Sequence, residues 1–143
     1  MKRIYKVMLA SLIGLAFIIG TAILFGAAPT KTPTFEVEVS KVVDQTIYYN
    51  FKFSNIATPV KSYKIYFAYE YYPDNFIMLA GDVDNPITKT LDRTKTRLGG
   101  RGTFHSIDTT YTITSGDRVK VFIDLYDENS NYIDQAITIY QVP

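Results

Sequence analysis

The sequence predicts an all-β domain behind one apolar N-terminal helix. Three observations carry that prediction. Apolar and polar residues alternate with a period of two over most of the chain from residue 34 onward, turn residues interrupt the alternation at short intervals, and residues 7–28 contain no charge. A period of two sends successive side chains to opposite faces of an extended strand, whereas a long uncharged run leaves no polar stripe for water.

The helix comes first. Leu9, Leu12, Ile13, Leu15, Phe17, Ile18, Ile19, Ile23, Leu24 and Phe25 leave no polar face, and Ser11 and Thr21 can bond back to a carbonyl one turn earlier. The run has 22 residues. At about 1.5 Å per residue it reaches roughly 33 Å, enough for a hydrocarbon core of about 30 Å. Lys2, Arg3 and Lys6 precede it and only Lys31 closely follows. A positive-inside bias therefore makes residues 1–6 a cytoplasmic basic tail, residues 7–28 a single-pass transmembrane helix, and everything after Ala28 extracytoplasmic. The alternative is a secreted domain released by signal cleavage near Ala28, with Gly26 and Ala28 at the small-residue positions. Against it, the run exceeds an h-region of about 7–15 residues, and Pro29 would follow the scissile bond. Residues 29–33, Pro-Thr-Lys-Thr-Pro, read as a stiff linker, so the outer domain is expected over residues 34–143.

Its strands follow in order. Phe35, Val37 and Val39 oppose Glu36, Glu38 and Ser40, and next Ile47, Tyr49, Phe51 and Phe53 oppose Tyr48, Asn50, Lys52 and Ser54. After Thr58-Pro59, Tyr63, Ile65, Phe67 and Tyr69 oppose Ser62, Lys64, Ala68 and Glu70. The run from Phe76 to Ala80 predicts a shorter strand, and Tyr111 and Ile113 predict another, ended by the turn Ser115-Gly116-Asp117. Val119, Val121, Ile123 and Leu125 then line one face, a polar hairpin loop spans residues 127–131, and a last strand runs from about Tyr132 to Val142. Roughly seven to eight short strands with regular turns predict an immunoglobulin-like β-sandwich, with a closed barrel as the alternative.

Composition narrows the chemistry. The 143 residues include no cysteine, no tryptophan and one histidine, but twelve tyrosines and nine phenylalanines. No disulfide framework, thiolate site or cysteine nucleophile can be built, so the core must rest on Tyr, Phe, Ile and Val. A formal net charge of +1 speaks against a nucleic-acid binder. That near-neutrality conceals segregation. Three of the 15 basic residues precede the apolar run, leaving 12 against 14 acids, a net −2 for everything beyond it. Within that part, residues 85–105 carry five cations and one acid, a local +4.

Lys89, Arg93, Lys95 and Arg97 alternate there with threonines and Asp92, which on a regular strand puts four cations on one face, with Arg101 just beyond. One reading is an edge strand kept soluble by its charges. The other makes Lys89, Arg93, Lys95, Arg97 and Arg101 a patch for an acidic glycan, a partner's acidic surface or lipid headgroups. The segment Leu98-Gly99-Gly100-Arg101-Gly102 lacks the Lys-Ser/Thr of a phosphate loop and reads as a flexible turn. His105, Ser106 and Asp108 lie close in sequence, but adjacent strand residues face opposite ways and no serine elbow is present. Asp82 and Asp84 could share a face. The loop Asp127-Glu128-Asn129-Ser130-Asn131 opens like a calcium loop, but Tyr132 and Thr138 replace its glycine and closing glutamate. No catalytic residue, metal site or cofactor is therefore expected. Tyr48, Tyr66, Tyr72, Tyr126 and Tyr132 fall opposite the presumed core or at strand ends, as cross-strand pairs or as a binding face.

A cationic start, one apolar helix and a C-terminal turn, strand, polar hairpin and final strand, from Ser115-Gly116-Asp117-Arg118-Val119 through residues 127–131, resemble archaeal type IV pilin-like proteins and membrane-anchored archaellum accessory proteins. The layout departs from the pilin pattern at Lys6-Val7, where processing would fall, and in lacking an early glutamate in the apolar run. The resemblance implies a surface-anchored role. The function expected is thus a non-enzymatic, membrane-anchored cell-surface protein whose outer domain binds another envelope protein, itself, or an acidic glycan. The alternative is a subunit of an extracellular filament, pilin-like or with a strand donated between neighbours.

Overall fold

The computed structural model describes residues 31–81 and 86–143. The basic tail, the apolar run 7–28, the start of the linker, and Asp82 and Asp84 lie outside the described residues. A compact unit spans Thr32–Pro143. Its described residues are all-β and form β1 (Thr34–Val43), β2 (Thr46–Ser54), β3 (Val60–Tyr72), β4 (Asn75–Met78), β5 (Ile87–Lys95), β6 (Leu98–His105), β7 (Arg118–Tyr126) and β8 (Tyr132–Gln141). Two antiparallel sheets result. One has the order β1-β2-β6; the other has the order β4-β3-β7-β8, with β5 also paired to β3.

Alternation explains the inner faces. In β2, Ile47, Tyr49, Phe51 and Phe53 are buried, and in β7 so are Val119, Val121, Ile123 and Leu125. Rings join the two sheets across this core. Phe67 of β3 stacks on Phe104 of β6 at 4.1 Å and meets the edge of Tyr49 at 5.3 Å, while Phe51 packs on Tyr63 at 5.5 Å. Each such side chain contributes about 1.5–3 kcal/mol by leaving water. Val43 pairs with Thr46 around Asp44 and Gln45, both at positive φ (46° and 63°). Two such residues in a two-residue loop give the type I′ turn, whose twist matches the strands.

Two segments differ from the expected elements. Tyr111 and Ile113 form no strand. The Asp108 carboxylate instead accepts the Thr110 and Tyr111 N–H groups at 2.8 and 3.1 Å. Gln45 then serves Ile113 as a ladder partner would: its Nε2 donates to the Ile113 carbonyl at 2.8 Å and its Oε1 accepts the Ile113 N–H at 2.7 Å. Residues 98–102, expected as a flexible turn, belong to β6 and pair in unbroken register with β2, from Leu98 opposite Phe53 to His105 opposite Thr46. Cross-strand pairing and ring packing override the turn preference of glycine there.

Candidate functional site

Strands β5 and β6 are consecutive but belong to different sheets, since β5 pairs with β3 and β6 with β2. The chain crosses between them at Thr96-Arg97, and the Ile56 N–H donates to the Thr96 carbonyl at 3.2 Å. This crossing leaves an opening on one side of the core. A cavity of about 460 Å³ lies there, lined by Tyr49, Ile87, Thr88, Lys89, Arg101, Gly102 and Thr103. A second concavity of about 400 Å³ shares Tyr49, Arg101, Gly102 and Thr103 and adds Ser40, Tyr48 and Asn50. Arg101 stands where the two meet.

The glycines of β6 shape this wall. Gly100 lies opposite Phe51 and Gly102 opposite Tyr49. A Cβ at Gly102 would stand 2.6 Å from the Tyr49 Oη, and one at Gly100 would stand 2.9 Å from the Phe51 ring. The two rings thus lie across the glycines, covering main chain that lacks side chains of its own. Tyr49 thereby becomes the floor of the opening. Burial, and secondarily Tyr63, raise its hydroxyl above the ordinary value of 10.0, so it stays a neutral hydrogen-bonding group at physiological pH.

The five sequence-predicted cations do not share one face. Thr90 pairs with Ser62 and Lys95 with Val60, so residues 91–94 arch out over the one position between them. Lys61 Nζ closes the arch by donating to the Asp92 carbonyl at 3.1 Å. Lys89 precedes the arch, opposite Tyr63; Arg93 lies within it; Lys95 follows it; Arg97 is in the crossing; and Arg101 lies opposite Asn50. Only Lys89 and Arg101 line the opening. Among the described residues, ion pairs involve Arg118 with Glu70 (2.6 Å) and Asp74 (3.9 Å), and none of the five cations. Lys89 and Arg101, without an ion pair among the described residues, a neutral phenol and the Thr88 and Thr103 hydroxyls form a set suited to carboxylates or sulfates.

The other candidates are engaged elsewhere. His105 Nδ1 lies 2.9 Å from the Thr46 hydroxyl, and Ser106 is buried with its Oγ accepting the Asp108 N–H at 3.4 Å. Both Asp127 oxygens serve their own loop: Oδ1 accepts the Asn129 and Asn131 N–H groups at 2.8 Å each, and Oδ2 accepts Asn131 Nδ2 at 3.0 Å. Those bonds, the Asn131 side chain foremost, hold its carboxyl below the ordinary 3.8. Among the described residues no group of three or more His, Asp or Glu is placed to hold a metal. The outward tyrosines form pairs: Tyr66 stacks on Phe122 at 4.6 Å, and Tyr126 meets Tyr132 edge-on at 6.3 Å. Desolvation first, then Tyr66 and Asp124, push Tyr126 up to about 12.

Residue spacing alone did not reveal Tyr49 or Thr103 as site residues. The available signal was the Gly100-x-Gly102 pair facing alternate aromatics of β2, which needs the strand register to be seen. No protein-family model and no curated protein matches the chain.

Proposed function

We propose that the chain is a non-enzymatic, membrane-anchored surface protein whose outer domain is an immunoglobulin-like β-sandwich that binds an acidic envelope component at the opening between β5 and β6. The uncharged run 7–28 behind three cations supports the anchor. The strand order supports the finer fold. β1, β2 and β6 take the positions of strands A, B and E, and β3, β7 and β8 those of C, F and G, with β4 and β5 at the edge beside C. Membrane anchoring would raise the effective concentration of the domain against partners in the same envelope, so modest affinity suffices.

The observation that carries the binding reading is the pair Lys89 and Arg101, exposed, without carboxylate partners among the described residues, around a cavity floored by Tyr49. Binding of the detergent-solubilised full chain to polyglutamate and to polygalacturonate at rising salt tests it. Neutralising both residues (Lys89→Gln with Arg101→Gln) is expected to weaken binding about tenfold or more, and salt to weaken the wild type. Neutralising Arg93, Lys95 and Arg97 is expected to matter less. Equal loss from both variants would reduce the site to diffuse charge. The anchor is tested separately: the chain should remain with membranes after carbonate washing and retain its Met1 or Lys2 terminus, whereas a terminus at Val7 and recovery from sheared fibres would favour the filament alternative.

A further inference from the structure

The sheet β4-β3-β7-β8 has a second face, turned away from the core. Directly opposed residues share a face, so the register sets Lys64, Tyr66 and Ala68 of β3 beside Asp124, Phe122 and Lys120 of β7 there. Arg118 and Glu70 close the row, 2.6 Å apart. Ile137 and Ile139 continue the rows of Phe122 and Lys120 onto β8, and Met78 continues that of Ala68 onto β4. Met78, Ile137 and Ile139 are 43, 50 and 44% exposed. The outward face of an antiparallel sheet is ordinarily polar. This one is apolar in its middle rows and carries opposite charges in the rows on either side. Lys120, within the apolar part, lies over the Phe76 and Phe122 rings at 5.4 and 5.3 Å.

The order of these residues makes the face complementary to itself. A two-fold axis parallel to the strands, between β3 and β7, lays β3 of one copy over β7 of the other. Lys64 then meets Asp124 of the other copy and Glu70 meets Arg118, while between them Tyr66 meets Phe122 and Met78 meets Ile139. Each contact occurs twice, as an isologous interface requires. An axis crossing the strands would set Lys64 against Ala68 and Glu70 against Ser62, losing both matches. It would also send the two copies' Thr34, where the chain enters β1, to opposite ends. Only the parallel axis lets both chains rise from one membrane. The face spans four strands about 4.8 Å apart and the nine residues of β7 at about 3.3 Å each, roughly 500 Å² per copy. Two copies thus cover about the 1,000 Å² that a specific contact needs. Resting on the anchored reading, which selects the axis, we infer that two copies of the chain pair within the membrane plane through the outer face of β3 and β7. Confinement to that plane raises their effective concentration and offsets the modest area.

The test uses the full chain in phosphatidylcholine vesicles, with donor or acceptor dye on Pro143→Cys, since the sequence has no cysteine of its own. Energy transfer between otherwise unaltered chains is expected. Lys64→Glu alone, or Asp124→Lys alone, is expected to weaken self-association about tenfold or more, because each sets like charges together twice. Mixing the two variants is expected to restore transfer to about its original level, because the reversed charge at 64 in one chain meets the reversed charge at 124 in the other. Damage to the fold could not be repaired that way. Lys52→Glu and Glu36→Lys reverse a cross-strand pair of the other sheet and are expected to leave transfer unchanged. Undiminished transfer in both single variants, or no recovery on mixing, overturns the dimer face. Equal losses from the Lys52 and Glu36 variants would reduce it to diffuse charge. A chain that does not float with the vesicles overturns the anchored reading instead, while recovery on mixing in solution would still support the face.

Discussion

Strands β7 and β5 are each nine residues long and both pair with β3, yet they are opposites. In β7 buried and half-buried residues alternate without exception, the strand has a partner on each side, and its register with β3 runs unbroken from Tyr126 to Val119. In β5 no residue is buried, only Ile87 and Leu91 are half-buried, and the ladder breaks around residues 91–94. β7 is held by removal of apolar surface from water. β5 is held mainly by main-chain bonds and by its attachment to the next strand. The side of the molecule that contributes least to the core is thus the side left open, and there Lys89 and Arg101 stand without an ion pair among the described residues.

That contrast is sharpened most strongly from the core. Phe67 is fully buried and contacts the rings of Tyr49 and Phe104 from the opposite sheet. Phe67→Ala is expected to cost about 3–5 kcal/mol, measured by denaturant titration, because the two sheets cannot close on the void. A loss below about 1 kcal/mol would mean that the sheets are not joined through this ring stack.

The wall of the opening gives the next largest effect. Gly102→Ala would drive a methyl into the Tyr49 hydroxyl, 2.6 Å away, whereas a Cβ at Gly99 meets only the Phe51 carbonyl oxygen at 3.5 Å. We expect Gly102→Ala to destabilise by about 1–3 kcal/mol. Gly99→Ala should stabilise by about 0.4–1 kcal/mol, by restricting the unfolded chain. Equal effects at the two positions would mean that the glycines serve only flexibility.

These same residues show where sequence reasoning reaches and where it stops. Ile47, Tyr49, Phe51 and Phe53, or Val119 through Leu125, identify their strands because one face of each lies against a core. Local pattern then suffices. The glycine-rich start of β6 read as a turn, since glycine weakens an isolated strand. What restores it is the pair of rings from β2, which no local window contains. Tyr111 and Ile113 are the reverse case: the alternation is present, but the ladder is replaced by one side-chain amide, that of Gln45. Among the cations, Lys89 and Arg101 resemble Arg93, Lys95 and Arg97 in every local respect. Only the change of sheet between β5 and β6 separates them.

A smaller effect is expected where β5 is most exposed. Arg93, Lys95 and Arg97 are exposed and have no ion pair among the described residues. Neutralising all three should change unfolding free energy by no more than about 0.5 kcal/mol, as for surface sites without specific partners. A larger loss would assign the arch a structural role and make β5 more like β7.

The smallest effect lies in the loop that follows β7 and is local. The β7–β8 loop is closed by Asp127, whose carboxylate accepts three hydrogen bonds from Asn129 and Asn131, with Ser130 at φ 64° between them. The β5–β6 crossing at Thr96-Arg97 contains no carboxylate. Because the loop bonds hold the Asp127 carboxyl below 3.8, the folded hairpin favours the charged form. Its contribution is therefore present above the unfolded value and is lost as pH falls through the lower folded value. Amide exchange within residues 128–131, compared with global unfolding at each pH, should show extra local opening of this loop below about pH 3.8. In Asp127→Asn the loop should be open to a similar degree at neutral pH and gain no further opening in acid. A variant loop that still loosened on acidification would shift the cause to Glu128 or Asp134.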